Sequence, residues 1–263
     1  MKRTQFFTSL GLALIIALAL PTLPTQVFAA GDAKHPAAQD WSFNGPFGTF
    51  DRDALRRGYK VYQEVCAACH SMNQLRFRNL SQSGGPEFSE AEVKAIAASF
   101  TVEDGPDDYG DMFDRPALPK DAFIAPYPNE NAARASNGGA YPPDLSLITK
   151  ARGLGADYVY ALLVGYEDAP EGVKLGDGQY YNPYMAGGKI AMAEPLVDEL
   201  VDYEDGTVPT KEQLAYDVTT FLSWAAEPEL ETRKQTGVMV IIYLSLFAGL
   251  LFLSMRKIWA DQH

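Results

Sequence analysis

Apolar residues recur at helical spacing in several parts of the chain. In the first of them, Leu55, Tyr59 and Tyr62 fall on one helical face together with Cys66. Asp51 precedes this run and is a residue type that caps helix N-termini. The pattern predicts an amphipathic helix that ends at a pair of cysteines.

Three more helices follow from similar signals. Ser89 and Glu92 form a capping box ahead of a short apolar run. A short helix is predicted over about 156–165, and a longer one begins near Thr210 and ends near Pro228. The apolar face of this last helix comprises Leu214, Val218, Phe221, Leu222 and Ala225.

The stretches between these helices are irregular. Residues 31–48, 101–153 and 167–208 are rich in Pro, Gly, Asn and Asp, and no run alternates well enough to predict a strand. The expected fold class is therefore mostly α with long irregular loops. Long loops are unusual in a compact domain, so we expect a bound prosthetic group to supply much of the interior.

The N-terminus carries the pattern of a secretory signal peptide. Lys2 and Arg3 precede an apolar run from Phe6 to Leu20, and small residues follow around Ala29 and Ala30. A retained membrane anchor is the alternative, but the run is shorter than the roughly 20 residues that a span requires. We expect residues 1–30 to be removed and the rest to be exported.

A second apolar segment lies near the C-terminus. Gly237–Met255 contains no charged residue and would form a helix of about 28 Å, close to the hydrocarbon thickness of a bilayer. A buried core helix is the alternative, but it would show a polar face. The predicted organisation is a periplasmic domain over 31–235, a transmembrane helix over 236–256 and a cytoplasmic tail over 257–263 of a single-pass inner-membrane protein.

Composition narrows the class of partner. The 263 residues carry a formal net charge of -12, with 47% hydrophobic and 21% charged residues. Disorder is therefore not expected, and nucleic acid is an unsuitable partner because binding it requires a basic surface. An acidic surface suits a basic protein partner.

The chemistry of the chain is expected at Cys66, Cys69 and His70, which form a C-x-x-C-H motif with the only two cysteines. A thiol–disulfide redox centre usually lies in a βαβ context, and a disulfide across so short a loop stabilises little. A structural zinc site needs four ligands, and the chain has only three histidines. Covalent attachment of one haem c through Cys66 and Cys69 remains, with His70 as the proximal iron ligand.

A second axial ligand would make the iron six-coordinate, and methionine raises the reduction potential relative to a second histidine. Met72 is too close to His70 to reach the opposite face of a haem. Met112, Met185 and Met192 remain as candidates, and spacing alone does not separate them. Each could equally be a flexible core residue.

The chain resembles the cytochrome c1 family, the haem subunits of cytochrome bc1 complexes (ubiquinol:cytochrome c oxidoreductase), from about Thr49 to Trp259. The resemblance rests on five motifs and the terminal apolar segment. The motifs are FDRDALRRGYKVYQEVCAACHSM, EDGPDDYGDMFDRP, YPNENAARASNGGAYPPDLSLI, YYNPYMAGGKIAMAEPL and FLSWAAEPE. It implies a class I-like cytochrome c haem domain with one C-terminal transmembrane helix.

The resemblance also implies roles for individual residues. Met192 matches the iron ligand and makes Met185 a neighbour, Arg134 matches an arginine that pairs with a haem propionate, and Pro142 and Pro143 match a stretch along the haem face. Taken alone, Arg134 would be a solvated surface residue and the two prolines a rigid turn. Some bacterial members tether the methionine loop with an extra cysteine pair. This chain has none, so we expect packing alone to hold the loop.

The implied function is electron transfer without bond-making chemistry, so the chain is not expected to be an enzyme by itself. Its haem would receive electrons from the Rieske iron–sulfur protein, beside cytochrome b and membrane lipid, and pass them to a soluble basic cytochrome c. Two acidic clusters would steer that cytochrome. They comprise Glu103, Asp104, Asp107, Asp108, Asp111 and Asp114, and then Glu167, Asp168 and Glu171.

Two other functions stay open at this point, besides the possibility that the acidic clusters are only solvated faces. One is a membrane-anchored c-type carrier that serves another periplasmic oxidase or reductase. The other is a haem enzyme with an open iron position, such as a peroxidase.

Overall fold

The computed structural model describes residues 33–260, so the signal-peptide prediction for 1–30 and the last three residues of the predicted tail lie outside the described residues. Six α-helices, four short strands and three short 3-10 helices account for the regular structure of the described part. The helices are α1 (Arg52–Glu64), α2 (Glu90–Ala98), α3 (Glu130–Ser136), α4 (Gly155–Val164), α5 (Lys211–Ala226) and α6 (Leu230–Ala260). The strands are β1 (Thr101–Asp104), β2 (Phe113–Pro116), β3 (Tyr180–Tyr181) and β4 (Lys189–Ile190).

Helix α1 begins where its sequence signal places it and ends at Glu64, two residues before Cys66. The Asp51 carboxylate accepts hydrogen bonds from the backbone N–H groups of Asp53 (2.9 Å) and Ala54 (3.1 Å), which satisfies donors that the first helical turn leaves unpaired. Leu55 and Tyr59 are buried on the predicted face. The helix therefore delivers the cysteine pair from a fixed position in the core.

Helices α1 and α5 cross in close contact, and Gly58 makes this possible. A Cβ atom on Gly58 would lie 2.0 Å from the backbone oxygen of Asp217 in α5, so only glycine permits the crossing. Helix α5 is buried along most of its length, and its predicted apolar face is confirmed, since Leu214, Val218, Phe221, Leu222 and Ala225 are all buried.

The other helix predictions are also confirmed. Ser89 and Glu92 form the reciprocal capping box at the start of α2, and α4 matches the helix predicted over about 156–165. The loop predictions are incomplete, however. The segment predicted as irregular from 101 to 153 contains α3 and the antiparallel pair β1–β2, and a second antiparallel pair, β3–β4, lies within the segment from 167 to 208.

The expectation that a prosthetic group supplies much of the interior is too broad. The described residues form a continuous hydrophobic core of their own, centred on an aromatic cluster between α1 and α5. Ring centroids in this cluster are 4.9 to 6.2 Å apart, and most rings meet edge-on or tilted. Its members are Tyr59, Tyr62, Phe77, Phe88, Phe123 and Phe221.

Helix α6 contains the apolar segment predicted to span a membrane, and it is long and apolar enough to do so. No residue in the most apolar stretch of this helix is buried against the rest of the chain. The alternative of a buried core helix is therefore wrong. The helix begins at Leu230, ahead of the apolar segment, and its first turns contact the domain. Glu231 and Lys234 form these contacts with Arg52 and with the loop that precedes α1.

Candidate haem site

The two cysteines lie in one tight turn directly after α1. Residues Cys66–Ala68 form a single 3-10 turn, and the N–H groups of Cys69 and His70 both donate to the carbonyl oxygen of Cys66, at 3.1 and 2.9 Å. The turn therefore places two thiols and the imidazole that follows them on a closed, hydrogen-bonded segment.

Both thiols are free, Cys66 half-buried and Cys69 exposed. Burial, together with the neighbouring Cys69, raises the pKa of the Cys66 thiol to about 12, so this thiol stays protonated near neutral pH. A thiol–disulfide redox centre needs a low thiol pKa instead. Within residues 33–260, no three His, Cys, Asp or Glu side chains are placed together to hold a metal ion.

The imidazole of His70 is held in one orientation by Pro143. Its Nδ1 atom lies 2.8 Å from the carbonyl oxygen of Pro143, and because a carbonyl oxygen only accepts, Nδ1 carries the hydrogen. Nε2 then keeps its lone pair and can coordinate a metal, the arrangement usual for ligating histidines. Partial burial lowers the pKa of His70, against opposite effects of the Pro143 hydrogen bond and of Asp144, so the neutral ligand form is favoured.

Asp144 ties the segment around Pro143 to the residues that follow the histidine. Its carboxylate accepts from the Ser71 hydroxyl and from the N–H of Asn73, both at 2.8 Å, and from the N–H of Ser146 at 2.8 Å. Burial raises the pKa of Asp144, but these hydrogen bonds outweigh it and leave the pKa below its ordinary value. Sequence reasoning missed this residue, because nothing in the local pattern around 144 points to residue 71.

A cleft of about 240 Å³ opens beside the cysteine turn. Cys69 and Pro142 both line it, so the structure brings two of the predicted site residues together there, and Pro143 contributes its carbonyl oxygen to His70. Most of the remaining lining comes from the segment that leads into α3 and from α3 itself. These residues are Ala125, Pro126, Tyr127, Pro128, Asn129, Glu130 and Ala133.

Arg134 lies near this cleft without lining it. Its Nε and Nη2 atoms donate to Glu130 Oε1 at 2.9 and 2.7 Å, and its guanidinium lies 5.5 Å from the centroid of the Tyr141 ring. Glu130 and Tyr141 both line the cleft. Pairing between Arg134 and a haem propionate therefore stays a prediction. In such a pair the propionate would replace the Glu130 carboxylate as the partner of the guanidinium.

The candidate methionines differ in their surroundings. Met112 is 54% exposed beside β2, which makes it a poor ligand, while Met185 and Met192 are half-buried. The Met185 sulfur lies 3.7 Å from the hydroxyl of Tyr158. Met192 packs against the hydrophobic core. The choice of Met192 as the iron ligand stays a prediction.

Packing is not the only interaction that holds the methionine loop, so that expectation is wrong. The hydroxyl of Tyr166 donates to the carbonyl oxygen of Met192 at 3.0 Å. The buried Asn182 side chain donates to the carbonyl oxygen of Leu162 in α4 at 2.8 Å. The N–H of Lys34 donates to the carbonyl oxygen of Pro183 at 2.7 Å. Directed hydrogen bonds thus take the place of the missing cysteine pair.

The first acidic cluster lies on the exposed β1–β2 hairpin. Its carboxylates are not equivalent: Asp104 pairs with Arg115, and Asp107 accepts from the N–H groups of Tyr109 (2.8 Å) and Asp111 (3.0 Å) to shape the turn. In the second cluster Glu167 lies 3.8 Å from the ammonium of Lys34.

The donor set at the cysteine turn fits a covalently bound haem. Two free thiols lie in one turn, and an imidazole with an available Nε2 follows them directly. These residues could form two thioether bonds to a porphyrin and one bond to its iron.

Comparison with known proteins shows the family to which the chain is similar. A model of the cytochrome C1 family matches residues 41–262. A protein named cytochrome b/c1 from Bradyrhizobium diazoefficiens is 49% identical over 282 aligned residues, which cover 100% of this chain and 41% of that protein. The chain thus spans less than half the length of that relative.

Two mitochondrial proteins show similar identity. Cytochrome c1-2, heme protein, of Solanum tuberosum is 52% identical over 84% of this chain and 85% of its own length. Cytochrome c1, heme protein, of Saccharomyces cerevisiae is 52% identical over 82% of this chain and 70% of its own length. Both alignments cover most of the described domain.

Proposed function

Because this chain belongs to the cytochrome c1 family, we propose that it passes single electrons from a Rieske iron–sulfur protein to a soluble cytochrome c within a cytochrome bc1 complex. In this proposal cytochrome b is its other subunit contact. The chain itself carries electrons and transforms no substrate, so quinol oxidation belongs to the complex as a whole.

The arrangement of His70 and Pro143 is the observation that supports this proposal most directly. The 2.8 Å hydrogen bond fixes the imidazole one residue after the second cysteine, with Nε2 available. Bound through Cys66 and Cys69, the haem would supply an iron centre that gains and loses one electron. The chain would orient the proximal ligand through Pro143 and the distal one, Met192, through Tyr166.

The remaining predicted residues have supporting roles in this proposal. Pro142 would lie along the haem face beside Cys69, and Arg134 would offer its guanidinium to a propionate, a geometry suited to two parallel hydrogen bonds. A distal methionine would leave no open iron position, which disfavours a peroxidase-like activity.

The proposed topology follows the charge and hydropathy of the chain. Residues 1–30 would be removed on export, 31–235 would form the periplasmic domain, 236–256 would span the inner membrane once, and 257–263 would stay in the cytoplasm. Helix α6 supports the single span by its length and its unburied apolar surface.

The partner surface would be the acidic β1–β2 hairpin together with the second acidic cluster. A basic cytochrome c would be attracted over distances of about a Debye length, roughly 8 Å at physiological salt. The exposed carboxylates of Asp108 and Asp111 are available for this role. Those of Asp104 and Asp107 already form an ion pair and backbone hydrogen bonds within the hairpin itself.

Purification from membranes tests the complex, and spectroscopy tests the site. A tagged chain should co-purify with a cytochrome b and a Rieske protein, whereas recovery with a different oxidase or reductase would contradict the proposal. Met192→Leu should abolish the far-red band of methionine-ligated ferric haem and lower the midpoint potential, while the matched variant Met185→Leu should retain both. Loss of the band only in Met185→Leu would reassign the ligand.

A further inference from the structure

The loop between Ser42 and Thr49 presents an aromatic side chain at its tip. The N–H of Thr49 donates to the carbonyl oxygen of Ser42 at 3.1 Å, which closes the loop at its base. Phe43 points into the core and is 9% exposed, whereas Phe47 is 79% exposed. The loop is thus anchored by one phenylalanine and exposes another.

Two glycines define the shape of this loop. Gly45 has a φ of 71°, and a Cβ atom on Gly48 would lie 2.0 Å from the backbone oxygen of Asn44. Any larger residue at either position would be strained. Phe47 is therefore carried by a tight turn between Pro46 and Gly48 rather than by a long flexible segment.

Lys234 joins this loop to α6. Its ammonium donates to the carbonyl oxygens of Phe43 (2.6 Å) and Gly48 (3.0 Å). Lys234 precedes Gly237, the first residue of the apolar segment, by three positions, which is about 4.5 Å along a helix axis. The loop therefore lies against α6 at the level where its apolar segment begins.

The exposure of α6 changes at the same level. Glu231 and Lys234 are half-buried, and so is Val238, one turn beyond Lys234 on the same face. From Met239 to Ala260 every residue is exposed. The rest of the protein therefore stops shielding α6 from its surroundings within one turn of the point where the loop contacts the helix.

We propose that the loop 43–49 is a second contact with the lipid bilayer, in which Phe47 enters the interfacial region beside α6. This inference rests on the proposed function, since it requires α6 to span the membrane. Phenylalanine side chains of membrane-surface segments bury at the boundary between headgroups and acyl chains, and the cationic side chains of Arg233 and Lys234 mark the same level on the helix. The occupant of this surface is phospholipid rather than another protein chain.

A second contact has a mechanical consequence. One helix alone would let the domain tilt relative to the membrane plane, because its only fixed element is the helix axis. A loop that touches the bilayer beside that axis restricts the tilt. The cleft beside Cys69 would then keep a constant height above the membrane.

Spin labelling of the full haem-containing chain tests this inference. Because Cys66 and Cys69 are consumed by thioether bonds, Phe47→Cys provides a unique thiol for a nitroxide label. The labelled protein is placed in phosphatidylcholine vesicles, and collision rates are measured with oxygen, which concentrates in lipid, and with a water-soluble nickel chelate. Tyr109→Cys, 91% exposed on the hairpin, and Leu246→Cys, 66% exposed within α6, are the matched controls.

The expected oxygen-to-nickel ratio at position 47 is several-fold higher than at 109 and lower than at 246. A ratio at 47 equal to that at 109 would overturn the inference while leaving the anchor intact. Shielding of the label at 47 from both reagents would also overturn it, because protein would then cover the loop. An aqueous ratio at 246 would instead show that α6 does not span the bilayer, and the proposed topology would fail with the inference.

Discussion

Arg52 and Glu231 join the first helix of the domain to the first turn of the membrane helix by two parallel hydrogen bonds. Both Nη1–Oε1 and Nη2–Oε2 distances are 2.8 Å, and the two side chains are 31% and 13% exposed. Glu231 also accepts from the N–H of Phe50 at 2.8 Å. The ion pair is partly shielded from water and fixed by a third partner, so it is stronger than an exposed pair.

We expect Glu231→Gln to destabilise the domain by about 1–3 kcal/mol, because it removes the charge from a partly buried bidentate pair. Thermal unfolding of the purified chain in detergent, followed by circular dichroism, measures the change. Glu204→Gln is the control, since the Glu204 side chain is 95% exposed. An equal loss in both variants would show that the pair contributes nothing specific.

The same pair predicts a pH dependence. Hydrogen bonds from Arg52, opposed by burial, hold the pKa of Glu231 below its ordinary value of 4.5. A carboxyl group with a lowered pKa binds fewer protons in the folded state, so its contribution is full above pH 4.5 and is lost as the pH falls through the lowered pKa. Between those limits the wild type should lose its stability advantage over Glu231→Gln, which unfolding at stepwise lower pH would measure.

Gly58→Ala should destabilise the chain, although alanine favours a helix over glycine by about 1 kcal/mol in an open position. The added methyl group would meet the backbone of Asp217 at 2.0 Å, and overpacking of this kind typically costs about 1–3 kcal/mol. Gly153→Ala is the control, because no atom lies within 4 Å of a Cβ there. A Gly58→Ala variant as stable as the wild type would mean that α1 and α5 can separate at low cost.

The helices that could be predicted from sequence have repeated apolar positions, and α1, α2 and α5 also have a side-chain N-cap, which α4 lacks. Helix α1 has Asp51 before it and Leu55 and Tyr59 on its face, and α2 has its capping box. Helix α3 could not be found in this way, because it is seven residues long and buries only Ala133. Without a repeated apolar position there is no period to detect.

The β1–β2 hairpin escaped prediction for a related reason. Its strands show no residue in the buried class, and the charged residues Asp104 and Arg115 lie within them. Alternation between apolar and polar residues appears only when one face of a strand packs on a core. In this hairpin the half-buried positions are Val102, Asp104 and Arg115, and because two of the three are charged, no apolar alternation appears in the sequence.

The residues of the candidate site also differ in whether they could be predicted from sequence. The C-x-x-C-H motif is contiguous, so its chemistry could be inferred directly from residues 66–70. The hydrogen bond from His70 to Pro143 joins positions 73 apart, and Tyr166 reaches Met192 across 26 positions. Contacts of that kind depend on the folded path of the chain, and single-sequence periodicity carries no information about them.

Tyr166→Phe should loosen the proposed iron ligand without removing it. The variant loses the hydroxyl that donates to the carbonyl oxygen of Met192, so the far-red band of methionine-ligated ferric haem should disappear at a lower pH than in the wild type. A pH titration of the absorption spectrum measures this change, with Tyr180→Phe, 42% exposed, as the control. Identical titrations for the two variants would show that Tyr166 does not position the ligand.

Neutralising the β1–β2 hairpin should make electron transfer to a basic cytochrome c less dependent on salt. Asp108→Asn with Asp111→Asn removes two exposed charges, and both the rate at low salt and the slope of its logarithm against ionic strength should fall in magnitude. The Asp111 substitution retains the main-chain N–H and carbonyl groups that bond to Asp107, so the turn keeps its hydrogen bonds. Asp107→Asn is a less suitable change, because backbone hydrogen bonds to its carboxylate hold its pKa below the ordinary value and shape the turn.

Stopped-flow kinetics at several salt concentrations gives the slope, and Glu204→Gln with Asp202→Asn makes the same charge change outside the hairpin. If both double variants flatten the slope equally, net charge alone governs the encounter and the hairpin has no special part in it.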